Sequence, residues 1–372
     1  MAERIFPVGV PVSGKELIDR EREIKELYRL VTIGQSVVIS SPRRFGKTSL
    51  VLTLLEKLRK EGYYVGMVDL FKVLTKREMA EKIVLSVLRN KVSAAVWAKL
   101  KEGVKSFLKH LKFKTPLGDF EIMVDLMSEE NEDKLLEEAL EFIEKLAKKY
   151  KKKMVFFFDE FSDIEKIDGE PWLKKMRAIF QHHKNSTYIF AGSQESLMTK
   201  IFTNRREAFY KFARLTGLGY LPEEATAKYV RESFRKLKFR LEPQVVEKIL
   251  KYSHCHPYYV QLLCQNAFFR GLEAQSIRIP DVEAAYRDSL VSEKAYFEEL
   301  WQNLHSKKNF LDVLEMVCQE KNPYQLKRLD KQAIYYVLSQ LENAGVIKKL
   351  EEARYRVVDP LFSDYIKMRD EL

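Results

Sequence analysis

Apolar positions recur along this chain with two different periods, and the switches between them mark out its elements. Over residues 15–31, Leu17, Ile18, Ile24, Leu27 and Leu30 return at helical spacing among charged neighbours, which predicts an amphipathic helix. QSVVIS, at 35–40, is instead a short, largely apolar run, as expected of a strand buried on both faces of a parallel sheet. Helical spacing resumes in KTSLVLTLLEKLRKEG and stops at Gly62, and YYVGMVDL reads as a second strand. Strand, helix, strand is the βαβ pattern.

The alternation then picks up decoration. Residues 77–113 carry a Lys-rich helical pattern, and FKTPLGDFEIMV (113–124) sets a Pro and a Gly between two β-prone runs, which predicts a hairpin. NEDKLLEEALEFIEKLAKKYKKK is a strong amphipathic helix. Its basic end suits the negative pole of the helix dipole and reads as a solvated terminus rather than a binding patch. MVFFFDEFSDI is a third strand that ends in acids, PWLKKMRAIFQHH a helix, and STYIFAGSQ a fourth strand. From Glu223 to about Ser292 the pattern is helical throughout. Helices at 306–320, 324–329 and 331–344 follow, with a β-prone pair in VIKKLEEARYRVVD. The expected division is an α/β core at 1–220 with an insertion at about 77–130, a helical unit at 221–295, and a helix-turn-helix with a wing at 296–372.

Composition adds limits. With 372 residues, 46% hydrophobic and 32% charged, the chain reads as soluble and globular, with two or three domains. A net charge of +11 suits an acidic partner such as nucleic acid. Abundant Lys and Glu equally suit the ion-paired surface of a thermophile, and both explanations stand. Three cysteines, Cys255, Cys264 and Cys318, imply no disulfide framework and a reducing, cytoplasmic setting. The start, MAERIFPVGV, lacks the apolar core of a signal peptide, and no run approaches 18 apolar residues, so no membrane span is expected.

The chemistry concentrates at two strand ends. After QSVVIS comes Ser41-Pro42-Arg43-Arg44-Phe45-Gly46-Lys47-Thr48, which follows the phosphate-loop pattern except that Ser41 replaces its first glycine. Gly46 lets backbone approach a phosphate, and the N–H groups from Phe45 to Ser49 open a helix N-terminus that attracts anions. Lys47 is placed to reach the β- and γ-phosphates, and Thr48 to give its hydroxyl to Mg²⁺. Arg43 and Arg44 either line the phosphate mouth or pair with acids such as Asp19 or Glu21. Five apolar residues, 154–158, put Asp159 and Glu160 at the C-terminal end of a buried strand, where ligand sites in open α/β sheets lie. Asp159 is the candidate for the Mg²⁺ shell, and Glu160 for the base that orients and deprotonates a water. Ser193 ends the next strand beside Gln194. It is either a contact to the γ-phosphate or the water, or an ordinary strand-to-loop serine.

Together these residues resemble the archaeal and bacterial ATPases of the AAA+-like class, relatives of the STAND signalling NTPases and, more distantly, of replication initiators. The resemblance runs along nearly the whole chain. It implies an α/β P-loop NTPase, a parallel sheet flanked by helices, with a helical lid and a C-terminal winged helix. SPRRFGKTSL looks like the family's own form of the loop, Ser41 and Pro42 included, and FFFDEF like its acidic strand end. The family's N-terminal box, in which a helix start packs near adenine, maps onto Asp19, Arg20 and Glu21. NRREAFYKFARLTGLGYL resembles the stretch carrying a family arginine, mapped to Arg214 with Arg205 and Arg206 as rivals, acting across a subunit boundary or from the lid side. His256-Pro257 match the His-Pro that replaces a sensor arginine, while Cys255 stands where glycine is usual. The HCH string lacks ligand spacing for a metal.

DPLF and the preceding elements resemble the winged helix. Helix 331–344 would be its recognition helix, with Ile334, Val337, Leu338 and Leu341 packed and Lys331, Gln332, Tyr335 and Gln340 exposed. Arg328, Lys348, Lys349, Arg354 and Arg356 add charge around it. Double-stranded DNA bound through 328–356 is one implied partner. A protein partner, or packing on the ATPase itself, is the other, since fold does not fix function. The implied activity is slow, ATP- and Mg²⁺-dependent hydrolysis driving a switch, in a homo-oligomer where an arginine acts in trans. A DNA-binding regulator, or a mobile-element or defence factor with structural ATP, is the competing reading. A small-molecule kinase has no use for the lid and wing.

Overall fold

Along the central strands, side chains alternate between two faces and both faces are apolar, so the sheet must be covered on both sides. In chain order, α1 (Glu21–Thr32) leads to β1 (Val37–Ser40), α2 (Lys47–Lys60), β2 (Tyr64–Asp69) and α3 (Lys76–Leu88). Two-residue strands β3 (Leu111–Lys112) and β4 (Asp125–Leu126) pair antiparallel. Then come α4 (Glu132–Lys149), β5 (Met154–Asp159), α5 (Glu170–Phe180), β6 (Ser186–Gly192), α6 (Glu195–Thr203) and β7 (Arg214–Thr216). The five longer strands form one parallel sheet in the order β2-β5-β6-β1-β7. Phe156, Phe158, Tyr188 and Phe190 face the core under α3–α6. Val155, Phe157, Ile189 and Ala191 face the core under α1 and α2. The structure is a computed structural model that describes residues 5–90, 111–112, 125–126, 131–305, 309–351 and 353–369. The hairpin expected at 113–124, and the helical pattern beyond residue 90, lie outside the described residues.

The parallel α/β core flanked by helices is as expected, with one more strand than the pattern revealed. β7 is a three-residue, largely exposed edge strand, too short to show a period. The second half holds α7 (Glu223–Lys236), β8 (Arg240–Leu241), α8 (Val245–Ser253), α9 (Pro257–Arg270), β9 (Ser276–Ile277) and α10 (Ile279–His305). It is not helical throughout, because β8 and β9 pair in parallel. Next are α11 (Phe310–Cys318), a 3-10 turn at Pro323–Gln325, α12 (Lys331–Asn343), the hairpin β10 (Ile347–Glu351) and β11 (Arg354–Val357), and α13 (Pro360–Met368). The short helix expected at 324–329 is only that turn. Asn322 caps it through Tyr324 N, and the chain is extended again at Leu326. Ile334, Val337, Leu338 and Leu341 are buried as expected.

Buried apolar residues between Leu221 and Tyr365, with Phe6 and Ile18 of the N-terminal segment, form one cluster. α10 runs unbroken through residue 295, where a unit boundary was expected, and packs against α9, α11 and α13. The lid and the C-terminal elements therefore share a core. Among the described residues, no helix is long and apolar enough to cross a membrane.

Candidate nucleotide-binding site

β1 is fully buried and ends at Ser40, and the chain turns there before α2 starts at Lys47. The turn needs a left-handed residue directly before the helix, and Gly46 supplies it with φ 84°. With no side-chain cap on α2, its first amides have no side-chain partner among the described residues. Lys47 is buried, and its Nζ donates to the carbonyls of Ser41 (2.7 Å) and Pro42 (2.8 Å), so the ammonium is held inside the loop it would share with a phosphate. Burial lowers its pKa, and the nearby Glu160 and Asp159 charges oppose that shift.

Ser41 turns out to be a clamp. Its Oγ donates to Leu218 O at 3.0 Å and accepts from Leu218 N–H, tying the loop to the segment after β7. Glycine at that position has no such bond to give.

The second strand end comes up beside the first. Thr48 Oγ1 donates to Asp159 Oδ2 at 2.7 Å. A hydroxyl and a carboxylate oxygen in contact, next to a lysine and a helix N-terminus, fit the sparse protein ligation of Mg²⁺ beside phosphate. Burial pushes the Asp159 carboxyl up to about 6, against the Thr48 bond. Glu160 takes a left-handed conformation (φ 45°), uncommon for a non-glycine residue and a form of strain that recurs at functional sites. Its Oε2 accepts from Ser193 N (3.0 Å) and Ser193 Oγ (2.8 Å), so Ser193 reaches the site through Glu160.

A cleft of about 390 Å³ opens over this constellation. Of the candidate residues, Arg20, Arg43, Arg44, Phe45, Gly46, Lys47, Thr48, Ser49, Glu160 and Pro257 line it. One wall was not foreseen. An N-terminal strap, residues 7–18, lies over α2, with Val12 N donating to Ser49 Oγ (3.0 Å) and Gly14 N to Thr53 Oγ1 (3.1 Å). Phe6 pins the strap to the lid by packing on Phe234. Among strap positions only Leu17 and Ile18 had a sequence signal, and it set them in a helix expected over 15–31 that begins only at Glu21; a segment of Pro, Gly and Val has no period to read.

Several expected residues sit elsewhere. The turn at Asp19 (φ 31°) brings Ile18 and Arg20 to the cleft, and Asp19 is not among its lining residues. Arg20 braces the entrance, donating to Glu23 Oε1 and Gly219 O, both at 2.7 Å. Arg44 pairs with neither Asp19 nor Glu21. Its Nη1 donates to Glu293 on α10, its guanidinium lies 4.2 Å over the Tyr258 ring, and Tyr258 OH donates to the same Glu293 at 2.6 Å. Ser41 and Pro42 support the loop from behind. His256 does not line the cleft. It is buried edge-on to Phe45, ring centroids 4.6 Å apart, and burial, helped by the Arg44 charge, pushes its pKa down to about 3. Cys255 has φ 54°, so it adopts the backbone a glycine would favour, and its carbonyl accepts Leu221 N at 2.9 Å.

Arg214 is brought away from the loop. It pairs with Val37 at the start of β1, its side chain is 61% exposed, and Glu26 lies 3.7 Å away. Within one chain it does not reach the site from the lid side. Arg205 and Arg206 are exposed in the segment after α6. Of the basic residues around α12, Arg328 is paired with Asp312 and Lys348 with Glu195 (3.3 Å), while Arg356 lies over the Tyr220 ring at 4.6 Å. Lys348 and Arg356 therefore face the ATPase core.

The sequence matches a family model described as an ATPase domain predominantly from Archaea, over residues 17–263. A search of curated proteins finds no match. Among solved structures, a Walker-type ATPase of Pyrococcus abyssi superposes with a TM-score of 0.72 at 15% identity, covering 98% of this chain and 100% of its own. The ORC2 protein of Aeropyrum pernix, in ADPNP–ADP complexes, gives 0.59 at 12% identity over 99% and 98%. The ORC1 protein of Aeropyrum pernix in complex with DNA gives 0.51 at 11% identity over 98% and 94%. These likenesses are likenesses of fold.

Proposed function

The chain belongs to this family of ATPase domains found predominantly in Archaea, and from that premise we propose an ATP- and Mg²⁺-dependent molecular switch that hydrolyses slowly and signals through a C-terminal winged helix. The observation that carries the reading is the Thr48–Asp159 contact at 2.7 Å beside Lys47 and Glu160. ATP supplies the transferable phosphoryl group, and Mg²⁺ neutralises charge on it. The N-terminal amides of α2 cradle the phosphates, and Lys47 turns its ammonium from the Ser41 and Pro42 carbonyls toward them. Thr48 and Asp159 hold the ion. Glu160 leaves Ser193 and takes the proton of the attacking water. Arg214, exposed on an edge strand, acts from a second copy of the chain.

Lys47→Ala is expected to abolish ATP binding in a chain that melts normally; a folded variant with unchanged affinity overturns the site. Glu160→Gln is expected to keep affinity and lose turnover, because its role is confined to the water. Glu160→Gln mixed with Arg214→Ala is expected to regain turnover if Arg214 works in trans, and no recovery at any ratio overturns that role.

For the output, the helix, turn, helix and hairpin order supports a winged helix, and exposed Lys331 and Lys349 have no ion pair among the described residues, which favours DNA phosphates. The fold relative solved with DNA agrees in kind. A protein-directed output is favoured instead by Tyr335 and Tyr336, 67% and 61% exposed on α12. A low-salt anisotropy titration with duplex DNA, with and without ATP, decides between them; no binding in either state removes the DNA reading.

A further inference from the structure

Arg44 is a cation of the phosphate loop whose charge is engaged outside the loop. It lines the cleft beside Phe45, Gly46 and Lys47, and its backbone is left-handed, φ 68°, uncommon for a residue with a side chain. From there the guanidinium reaches the lid, where Nη1 donates to Glu293 Oε2. The Arg44 side chain is 39% exposed and that of Glu293 8%, so the arginine is free to swing and the carboxylate is not. Glu293 is not among the lining residues of the cleft. Its other oxygen accepts the Tyr258 hydroxyl at 2.6 Å. The guanidinium lies 4.2 Å from the centre of the Tyr258 ring and 5.5 Å from that of Tyr296. A cation, a carboxylate and two phenol rings therefore join the loop to α9 and α10. Lys47 is held in a similar way, on the carbonyls of Ser41 and Pro42, so both cations lean on acceptors of the protein's own.

A carboxylate on Arg44 cancels the charge that a polyphosphate would meet at the mouth of the cleft. A polyphosphate that takes the guanidinium leaves Glu293 buried with one neutral donor, Tyr258, among the described residues. A buried carboxylate stripped of its cation is strongly destabilising, so the helix that bears it has to shift until water reaches it. We propose, resting on the ATP reading above, that the Arg44–Glu293 pair is an autoinhibitory latch between the phosphate loop and the lid: the phosphates of a bound nucleotide draw Arg44 away from Glu293, and α10 moves to bring the freed carboxylate to water. Bonds from α10 and α9 carry that movement to α13. The Tyr286 hydroxyl on α10 donates to Asp364 Oδ2 at 2.9 Å, and the Tyr365 hydroxyl on α13 donates to Glu298. Tyr259, next to Tyr258, donates to both oxygens of Asp359 at 2.7 and 2.6 Å, and Asp359 caps α13 by accepting from Phe362 N at 3.1 Å. The first turn of α9 thus meets the latch with one tyrosine and the start of α13 with the next.

The test pairs calorimetric titration of the full chain with hydrogen exchange, in the wild type and in Glu293→Gln. The substitution keeps the size of the side chain and an acceptor for Tyr258, and removes the competing charge. Glu293→Gln is expected to bind Mg²⁺–ATP about fivefold more tightly than the wild type, and to bind adenosine, which has no phosphate to compete for Arg44, no more tightly. In the wild type, ATP is expected to slow exchange at the start of α2 and to speed it around Glu293 on α10. In Glu293→Gln, α10 is expected to exchange faster already and to respond little to ATP. Equal or weaker ATP binding by a folded Glu293→Gln overturns the latch and leaves the ATP site standing. So does wild-type exchange on α10 that ATP slows or leaves unchanged, because the pair then persists with nucleotide bound. If Glu293→Gln fails to melt cooperatively, the exchange of the wild type decides alone. Failure of both proteins to bind ATP overturns the ATP reading and the latch together.

Discussion

Asp159 is a carboxylate that the fold makes reluctant to ionise and that the proposed chemistry needs ionised. Burial raises it to about 6, and the Thr48 hydroxyl offsets only part of that. Because the folded value lies above the unfolded one, near 3.8, its contribution to stability is fully present below pH 3.8 and is lost as pH rises through about 6. Mg²⁺ binding has the opposite dependence, since the ligand must be deprotonated. Mg²⁺–ATP affinity is expected to fall as pH drops through about 6. Asp159→Asn should flatten that step and weaken the Mg²⁺ dependence of binding, while ATP without metal binds about as before. Titrations at pH 5, 6 and 7.5 measure it, and a step that persists in the variant refutes the role. This residue was legible in the sequence because its chemistry requires an acid at a buried strand end, and so were Lys47, Thr48 and Glu160. The partner of Arg44 was not legible. Glu293 lies 249 positions away, and only packing of α10 on the loop brings it there.

At the level of elements, the loop and the lid meet through rings. Phe45 is edge-on to His256 and to Tyr220, at 4.6 and 5.3 Å, and His256 Nδ1 is buried without a hydrogen-bond partner among the described residues. A buried neutral imidazole whose pKa falls to about 3 must take up a proton on unfolding below its unfolded value near 6.5. Its contribution is therefore present above pH 6.5 and lost as pH falls toward 3. His256→Phe keeps a ring against Phe45 and removes the orphaned nitrogen. It is expected to be close to neutral at pH 7.5 and to lose less stability than the wild type between pH 7 and 5, seen as a smaller drop in Tm. The same loss in both proteins would refute it. Periodicity found most of the helices, each with one apolar face, and short continuous apolar runs marked the four longer sheet strands, buried on both faces. It failed for β7, three residues long, and for the strap, whose order comes from bonds to α2 and from Phe6 in the lid.

In the whole molecule, the lid and the C-terminal elements form one apolar cluster, so a displacement of the lid carries the hairpin with it. Besides the lid's contacts with the phosphate loop, the C-terminal elements of that body touch the core at Lys348 and at Arg356. Lys348 reaches Glu195, and Asn343 O accepts Ser196 Oγ at 3.1 Å. Arg356 covers Tyr220, whose hydroxyl donates to Val358 O at 3.0 Å. The first ion pair is exposed and worth little. The second contact matters more, because Tyr220 also packs on Phe45, so a cation of the hairpin stands one ring away from the phosphate loop. Arg356→Ala removes a cation–π contact worth about 0.5–1 kcal/mol. It is expected to change ATP affinity by about twofold to fivefold and to raise hydrogen exchange along β10 and β11. Lys331→Ala, at the exposed start of α12, touches neither ring and is expected to leave ATP affinity alone; any effect it has should fall on DNA, as a shallower dependence of binding on salt. Titration of both variants with ATP, and then with duplex DNA at two salt concentrations, separates the two roles. If Arg356→Ala binds ATP like the wild type, the hairpin does not communicate with the loop through Tyr220, and a signal from nucleotide to hairpin would have to pass through Arg44, Glu293 and α10.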